Sequence, residues 1–143
     1  MSSNSQNFKD NRMKNDLLTC GQLERKLSQK ILAFYRINLG HQPSKVTCQF
    51  FSSTLAIVIE NSITNAEKIL IDEGKIDLAS KVRANLDRAI QPEFKQLIEE
   101  ITEVEIVDFL SDATLKTRRT GIIVILSKIP LVRNPENIPK VKT

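Results

Sequence analysis

The chain carries one imidazole, His41, and two thiols, Cys20 and Cys48. Nucleophilic catalysis by Cys48 or Ser111 would need a general base, and His41 is the sole imidazole to serve. A Cys48–His41 pair can be drawn across a turn, but no third residue presents itself to orient the ring. Hydrolase and transferase mechanisms therefore lack one of their roles, and the expectation is a protein without catalytic residues. The same scarcity bears on metals. One His, and two Cys with 27 residues between them, fit no zinc spacing. Glu99, Glu100, Glu103 and Glu105 could hold a hard cation, but the first three close a helical pattern on its polar side, where a solvated face is the simpler reading. Gly21, Gly40, Gly74 and Gly121 never approach a phosphate-binding loop. No metal and no cofactor are expected.

Basic groups remain. "KTRR", Lys116 to Arg119, follows Asp112 in a polar stretch, "SDATLKTRRT", between two apolar runs. Arg can grip a phosphate, an acidic partner or an anionic headgroup in bidentate fashion; the plain alternative is a solvated hairpin loop. A second basic group lies in "NLGHQPSKV", residues 38–46. Gly40 is placed to end a helix in the left-handed conformation, and Pro43 to keep the chain from resuming it. His41 would then sit at the helix's negative end, with Lys45 nearby. His41, Lys45, Lys116, Arg118 and Arg119 are thus candidate anion or partner contacts. Gly40 and Pro43 are structural turn residues, and Ser111 and Asp112 a loop after a strand.

These groups must be positioned by the elements around them. Thr19 and Gln22 form a capping box opening a helix to about Leu39, with Leu23, Leu27, Ile31, Phe34 and Tyr35 as its apolar stripe and Glu24, Arg25, Lys26 and Lys30 on a solvated face. Lys45–Phe51 and Leu55–Glu60 read as strands, the second apolar enough to be buried on both faces, joined through Ser52-Ser53-Thr54. Thr64 and Glu67 form a second capping box for a short helix that Gly74 ends. A long helical pattern through Val82, Leu86, Ile90, Phe94, Leu97, Ile98 and Ile101 contains Pro92, which predicts a kink or two abutting helices. Glu103–Leu110 and Gly121–Ser127 make the last strand pair. The order predicts an α+β two-layer domain: helix, hairpin, short helix, long helix, hairpin, with an antiparallel four-stranded sheet. If Val58 and Ile123 face outward, the sheet keeps an uncovered apolar face, which predicts a homodimer.

Of the 143 residues, 41% are apolar and 27% charged, a globular balance. The net charge of +4 resides in the ends: residues 1–20 contribute +1 and 128–143 contribute +3, leaving 21–127 neutral. That distribution argues against a dedicated nucleic-acid binder, and stacking aromatics are scarce. Residues 1–18 are polar and patternless, predicting a flexible N-terminal tail; 19–127 form the domain. Residues 128–143, with three prolines, predict an extended basic C-terminal tail, either loose or a docking segment. Polar opening residues predict no secretory leader, and the longest apolar runs, Leu55–Ile59 and Ile122–Leu126, are too short to span a bilayer. Two reduced thiols fit a cytoplasmic setting.

Together, "LERKLSQKILAFYRINLGHQPSKV", "ITNAEKIL" and "IQPEFKQLIEEITEVEIVDFLSD" resemble the MpsC-like family of small bacterial proteins, from about Gly21 to Leu126. That family is named for a component of a sodium-translocating, membrane-potential-generating system. The resemblance falls on Leu23-Glu24-Arg25, Gly40 and Pro43, Thr64-x-Ala66-Glu67, Pro92-Glu93 and the "FLSD" of Phe109–Asp112. The chain departs from the pattern at the helix exit, where Gly, a basic residue, Gly, Pro is replaced by Gly40-His41-Gln42-Pro43. A second Gly would allow close backbone approach to a ligand; Gln42 does not. The resemblance implies an α+β protein without a reaction of its own. It would be cytoplasmic or peripheral to the membrane, and a partner of a membrane ion or bicarbonate uptake system. Two further expectations stand beside that one: a small-molecule or anion-binding module, and weak nucleic-acid binding through the basic tails.

Overall fold

Both capping boxes form as their sequences predict, in a computed structural model that describes residues 16–140. Thr19 accepts from the Gln22 N–H at 3.1 Å while the Gln22 side chain accepts from the Thr19 N–H at 2.9 Å, opening helix α1, Cys20–Leu39. Its stripe of Leu23, Leu27, Ile31 and Tyr35 is buried. Gly40 closes it with φ 64°, its N–H donating to the Arg36 carbonyl at 3.1 Å. Glu67 likewise accepts from Thr64, starting α2, Asn65–Asp72, and Gly74 takes φ 77° just beyond its end.

Strands β1, Lys45–Phe51, and β2, Thr54–Glu60, pair from Lys45↔Glu60 to Phe51↔Thr54, leaving Ser52-Ser53 as a two-residue turn. Ser52 has φ 49° where glycine is the usual occupant, and its N–H donates to the Pro139 carbonyl. Helix α3 runs over Ile76–Thr102 with Pro92 inside it, so two abutting helices do not appear. Pro92 lies on the exposed side, where the carbonyl it leaves unbonded can turn to water. Glu103 ends the helix in the left-handed conformation, which delays the next strand to Ile106 rather than Glu103.

Strand β3, Ile106–Thr114, pairs with β4, Arg119–Leu126, down to Thr114↔Arg119. The turn is therefore only residues 115–118, and Ser111 and Asp112 belong to the strand, not to a loop after it. Polar side chains misled here because β3 is an edge strand, which tolerates them. The sheet order is β1-β2-β4-β3, all neighbours antiparallel, as an α+β fold of this element order requires.

Helices cover one face. Cys48, Phe50, Leu55, Ile57, Ile59, Ile122, Val124 and Leu126 point into the core against α1 and α3, where Phe94 stacks edge-on to Phe34, Tyr35 and Phe109. The other face is open: Val58 is 43% exposed and Ile123 36%, so β2 is buried on one face only. Two helix carboxylates expected in solvent instead accept strand N–H groups, Glu24 from Phe50 at 2.8 Å and Glu99 from Ile106 at 2.9 Å.

The segment after β4 folds back onto the domain, with Val132 and Ile138 buried in the core. The Arg133 N–H donates to the Leu18 carbonyl at 2.8 Å, and the Cys20 N–H to Asn134 Oδ1 at 2.8 Å. A short 3-10 turn, Pro135–Asn137, lies between these anchors. Of the tail expected over residues 1–18, only 16–18 fall among the described residues, and Leu17 there is buried. Residues 141–143 also lie outside them.

Candidate functional site

The polar centre of the domain is built around Arg83, a charged residue on the buried side of α3. Its stripe reads Ala79, Arg83, Phe94, Ile98 and Thr102, so helical geometry carries the guanidinium inward. Arg83 is 3% exposed and Glu67 is fully buried. Nε donates to Glu67 Oε2 at 2.8 Å and Nη2 to Glu67 Oε1; Nη1 donates to Asp87 Oδ1 at 3.0 Å and Nη2 also to the Ser62 carbonyl at 3.0 Å. The Ser62 hydroxyl bonds Thr120 at 2.8 Å, and the Ser62 N–H donates to the Arg118 carbonyl at 3.0 Å. Ser62 thereby joins the β2–α2 turn to α3 and to the start of β4.

Charge in this cluster is unequal. Burial pushes Glu67 upward, but the Arg83 bonds and charge, with those of Thr64, outweigh it and hold its carboxyl below the usual range. Asp87 goes the other way: burial, with the nearby charges of Glu67 and Asp112, raises it despite Arg83. One guanidinium serves two carboxylates and satisfies the deeper one. Tyr35, close by, has its hydroxyl pushed up, first by burial.

Two clefts flank this centre. One, about 380 Å³, lies between α3 and β3 and is lined by Asp87, Arg88, Gln91, Ser111 and Asp112 with Arg83 at its base. The other, about 450 Å³, lies where α1 ends and α2 begins, lined by Asn38, Gly40, His41, Thr64, Asn65 and Leu86 among others. His41 Nε2 stands 2.7 Å from the Asn61 carbonyl, so that nitrogen carries the proton and donates. Among the described residues no group of three His, Cys, Asp or Glu stands where it could hold a metal ion.

The basic residues gather at one end of the sheet without sharing a cleft. Lys45, Glu60, Arg119 and Thr114 form one cross-strand row, in which Arg119 Nε reaches Glu60 Oε1 at 3.4 Å. Lys116 and Arg118 are in the adjoining turn, Arg118 with φ 58°. His41 is tied to Asn61, next to Ser62 and hence to Arg118, yet it opens into the α1–α2 cleft. Pro43 is buried beneath the helix exit. Cys48 lies in the core beside Ser28 and Glu24, its thiol pushed up to about 11 by burial, and is not paired with His41. Sequence reasoning missed Arg83 and Asp87 because its stripe ran through Val82 and Leu86. Stepping back from Phe94 by helical intervals reaches both, and two charges at core positions four residues apart were the available signal.

The model of the family described as "Na+-translocating membrane potential-generating system (MpsC)" matches residues 19–128. The chain belongs to the MpsC family. Among the described residues, the match contains all four strands, the three α-helices and the Glu67–Arg83–Asp87 cluster, but stops short of Val132 and Ile138. No curated protein and no solved structure matches the chain. Among the described residues of this MpsC-family chain, no helix is long and apolar enough to cross a membrane.

Proposed function

We propose that this MpsC-family chain is a non-enzymatic accessory protein, a cytoplasmic homodimer that regulates a membrane ion or bicarbonate uptake system through protein contacts. The observation that carries this reading is the outer face of the sheet, where Val58, Leu110 and Ile123 are exposed on the side away from the helices. Contiguous exposed apolar surface on an otherwise well-packed domain marks an interaction site. The groups best suited to catalysis have other employment: His41 holds the Asn61 carbonyl, Cys48 is a buried protonated thiol, and every guanidinium nitrogen of Arg83 has a partner. In this reading the ion path belongs to a membrane-embedded partner. Affinity isolation of the tagged full chain from native membranes should recover such a transport subunit. Recovery of the chain alone, at native expression, refutes the reading.

A second reading, a small-anion-binding module, is favoured by the cleft at the start of α2. His41 and the first N–H groups of α2 border the same space, where a helix N-terminus favours negative charge. Phosphate, bicarbonate or a nucleotide should then raise the Tm, and His41→Ala should abolish the rise. A flat response to all three removes this reading.

A further inference from the structure

The outward positions of the two central strands form a pattern that a copy of the same face would complete. They pair Thr54 with Ile125, Ala56 with Ile123, Val58 with Gly121, and Glu60 with Arg119. In three pairs a small side chain stands beside a large one, and the fourth joins acid to base. The large member lies on β4 at Ile125 and Ile123 and changes to β2 at Val58. Consider a twofold axis in the plane between two such faces, running along the strands midway between β2 and β4. It exchanges the two strands between copies while preserving height along them. Ile123 then lies over the partner's Ala56, Val58 over the partner's Gly121, and Glu60 over the partner's Arg119. On these two strands every large residue meets a small one and every charge its opposite. Face-to-face sheets pack aligned within about 30°, which this axis allows.

Gly121 makes the argument specific. It is on a central strand, where glycine weakens pairing and packs nothing. Its φ is not in the left-handed region, and a Cβ added there meets nothing of its own chain. The chain's own fold gives no reason for the missing side chain; an opposing Val58 does.

We infer that the outer sheet face is the homodimer interface, in the register that seats Val58 against the partner's Gly121 and Glu60 against the partner's Arg119. This rests on the homodimer proposed above and adds its face, axis and contacts. An isologous contact of this kind is closed, so it stops at two copies.

Sedimentation equilibrium on the full chain tests it with three variants. The parent should sediment as a dimer of 16.2 kDa chains. Gly121→Val has room within the chain but fills the seat of Val58 twice per dimer, and should weaken association at least about thirtyfold. Circular dichroism at a concentration where both are monomeric should show the variant folded. Glu60→Arg should also weaken association, and adding Arg119→Glu to it should restore it. A monomeric parent overturns both the homodimer and this inference, whatever unlike partner then covers the face. A dimer that survives Gly121→Val unchanged, or a charge swap without rescue, overturns the face and register while leaving the homodimer standing.

Discussion

Replacing Arg83 by Met isolates the energetic role of the buried cluster. Methionine fills much of the same volume but donates nothing, so Glu67, fully buried, loses both guanidinium bonds and its counter-charge. The Ser62 carbonyl and Asp87 lose a donor as well. Breaking a buried pair by removing one partner costs about 3–5 kcal/mol, mostly from the charge left behind. In a chain of this size that lowers Tm by roughly 6–20 °C. Urea unfolding followed by circular dichroism should show this loss for Arg83→Met at pH 7. Adding Glu67→Gln removes the stranded charge while keeping an acceptor for Thr64, and should recover at least about 1 kcal/mol. The pH dependence carries a sign. In the parent, the Glu67 carboxyl lies below its unfolded value of about 4.3. Its contribution is present above that value and lost as pH falls through the folded one. In Arg83→Met only the Thr64 bonds still oppose burial, so the Glu67 carboxyl rises and stability relative to the parent is lost as pH increases through its folded value. The deficit of the variant should therefore be larger at pH 8 than at pH 5. A loss under about 1 kcal/mol, no recovery with Glu67→Gln, or a deficit independent of pH would refute the reasoning.

Two further outcomes follow from burial. Val132→Ala and Ile138→Ala should each cost about 1–4 kcal/mol in urea unfolding, because both side chains lie in the core; a loose tail would give no change. Cys20 and Cys48, unbonded and with thiols pushed up to about 11 by burial, should resist a thiol-specific reagent at pH 8 in the native chain and react together on unfolding. Rapid labelling of Cys48 in the folded protein would contradict its placement.

The elements most legible in the sequence were those whose signals are local. Thr19 with Gln22 and Thr64 with Glu67 placed two helix starts because a capping box is complete within four residues. Gly40 likewise marked its helix end. Less legible were features decided by distant partners. Ser111 and Asp112 look like loop residues until β4 is known to extend to Arg119 and pair with them. Glu103 looks like strand until it ends α3 in the left-handed conformation. Val132 and Ile138 sit among prolines, so no periodicity announces them, and their burial depends on core elements distant in the chain. Pro92 leaves two abutting helices open in the sequence, whereas α3 is a single helix. The candidate site divides the same way: His41 and the basic turn were visible as residue types, whereas the Arg83 centre appears only once α2 and α3 lie side by side.

The bond from Arg133 to Leu18 and that from Cys20 to Asn134 span more than 110 positions of the chain. They set an order of events during folding. Both hairpins and helices α1 to α3 can form from neighbours close in sequence, but the opening of α1 has no seal until Arg133 and Asn134 arrive. Closing so long a loop costs entropy that is offset only once the contact is made. A chain still in synthesis would therefore leave the opening of α1 without the Asn134 bond to the Cys20 N–H. In this sense residues 133 and 134 are the latch on the opening of α1.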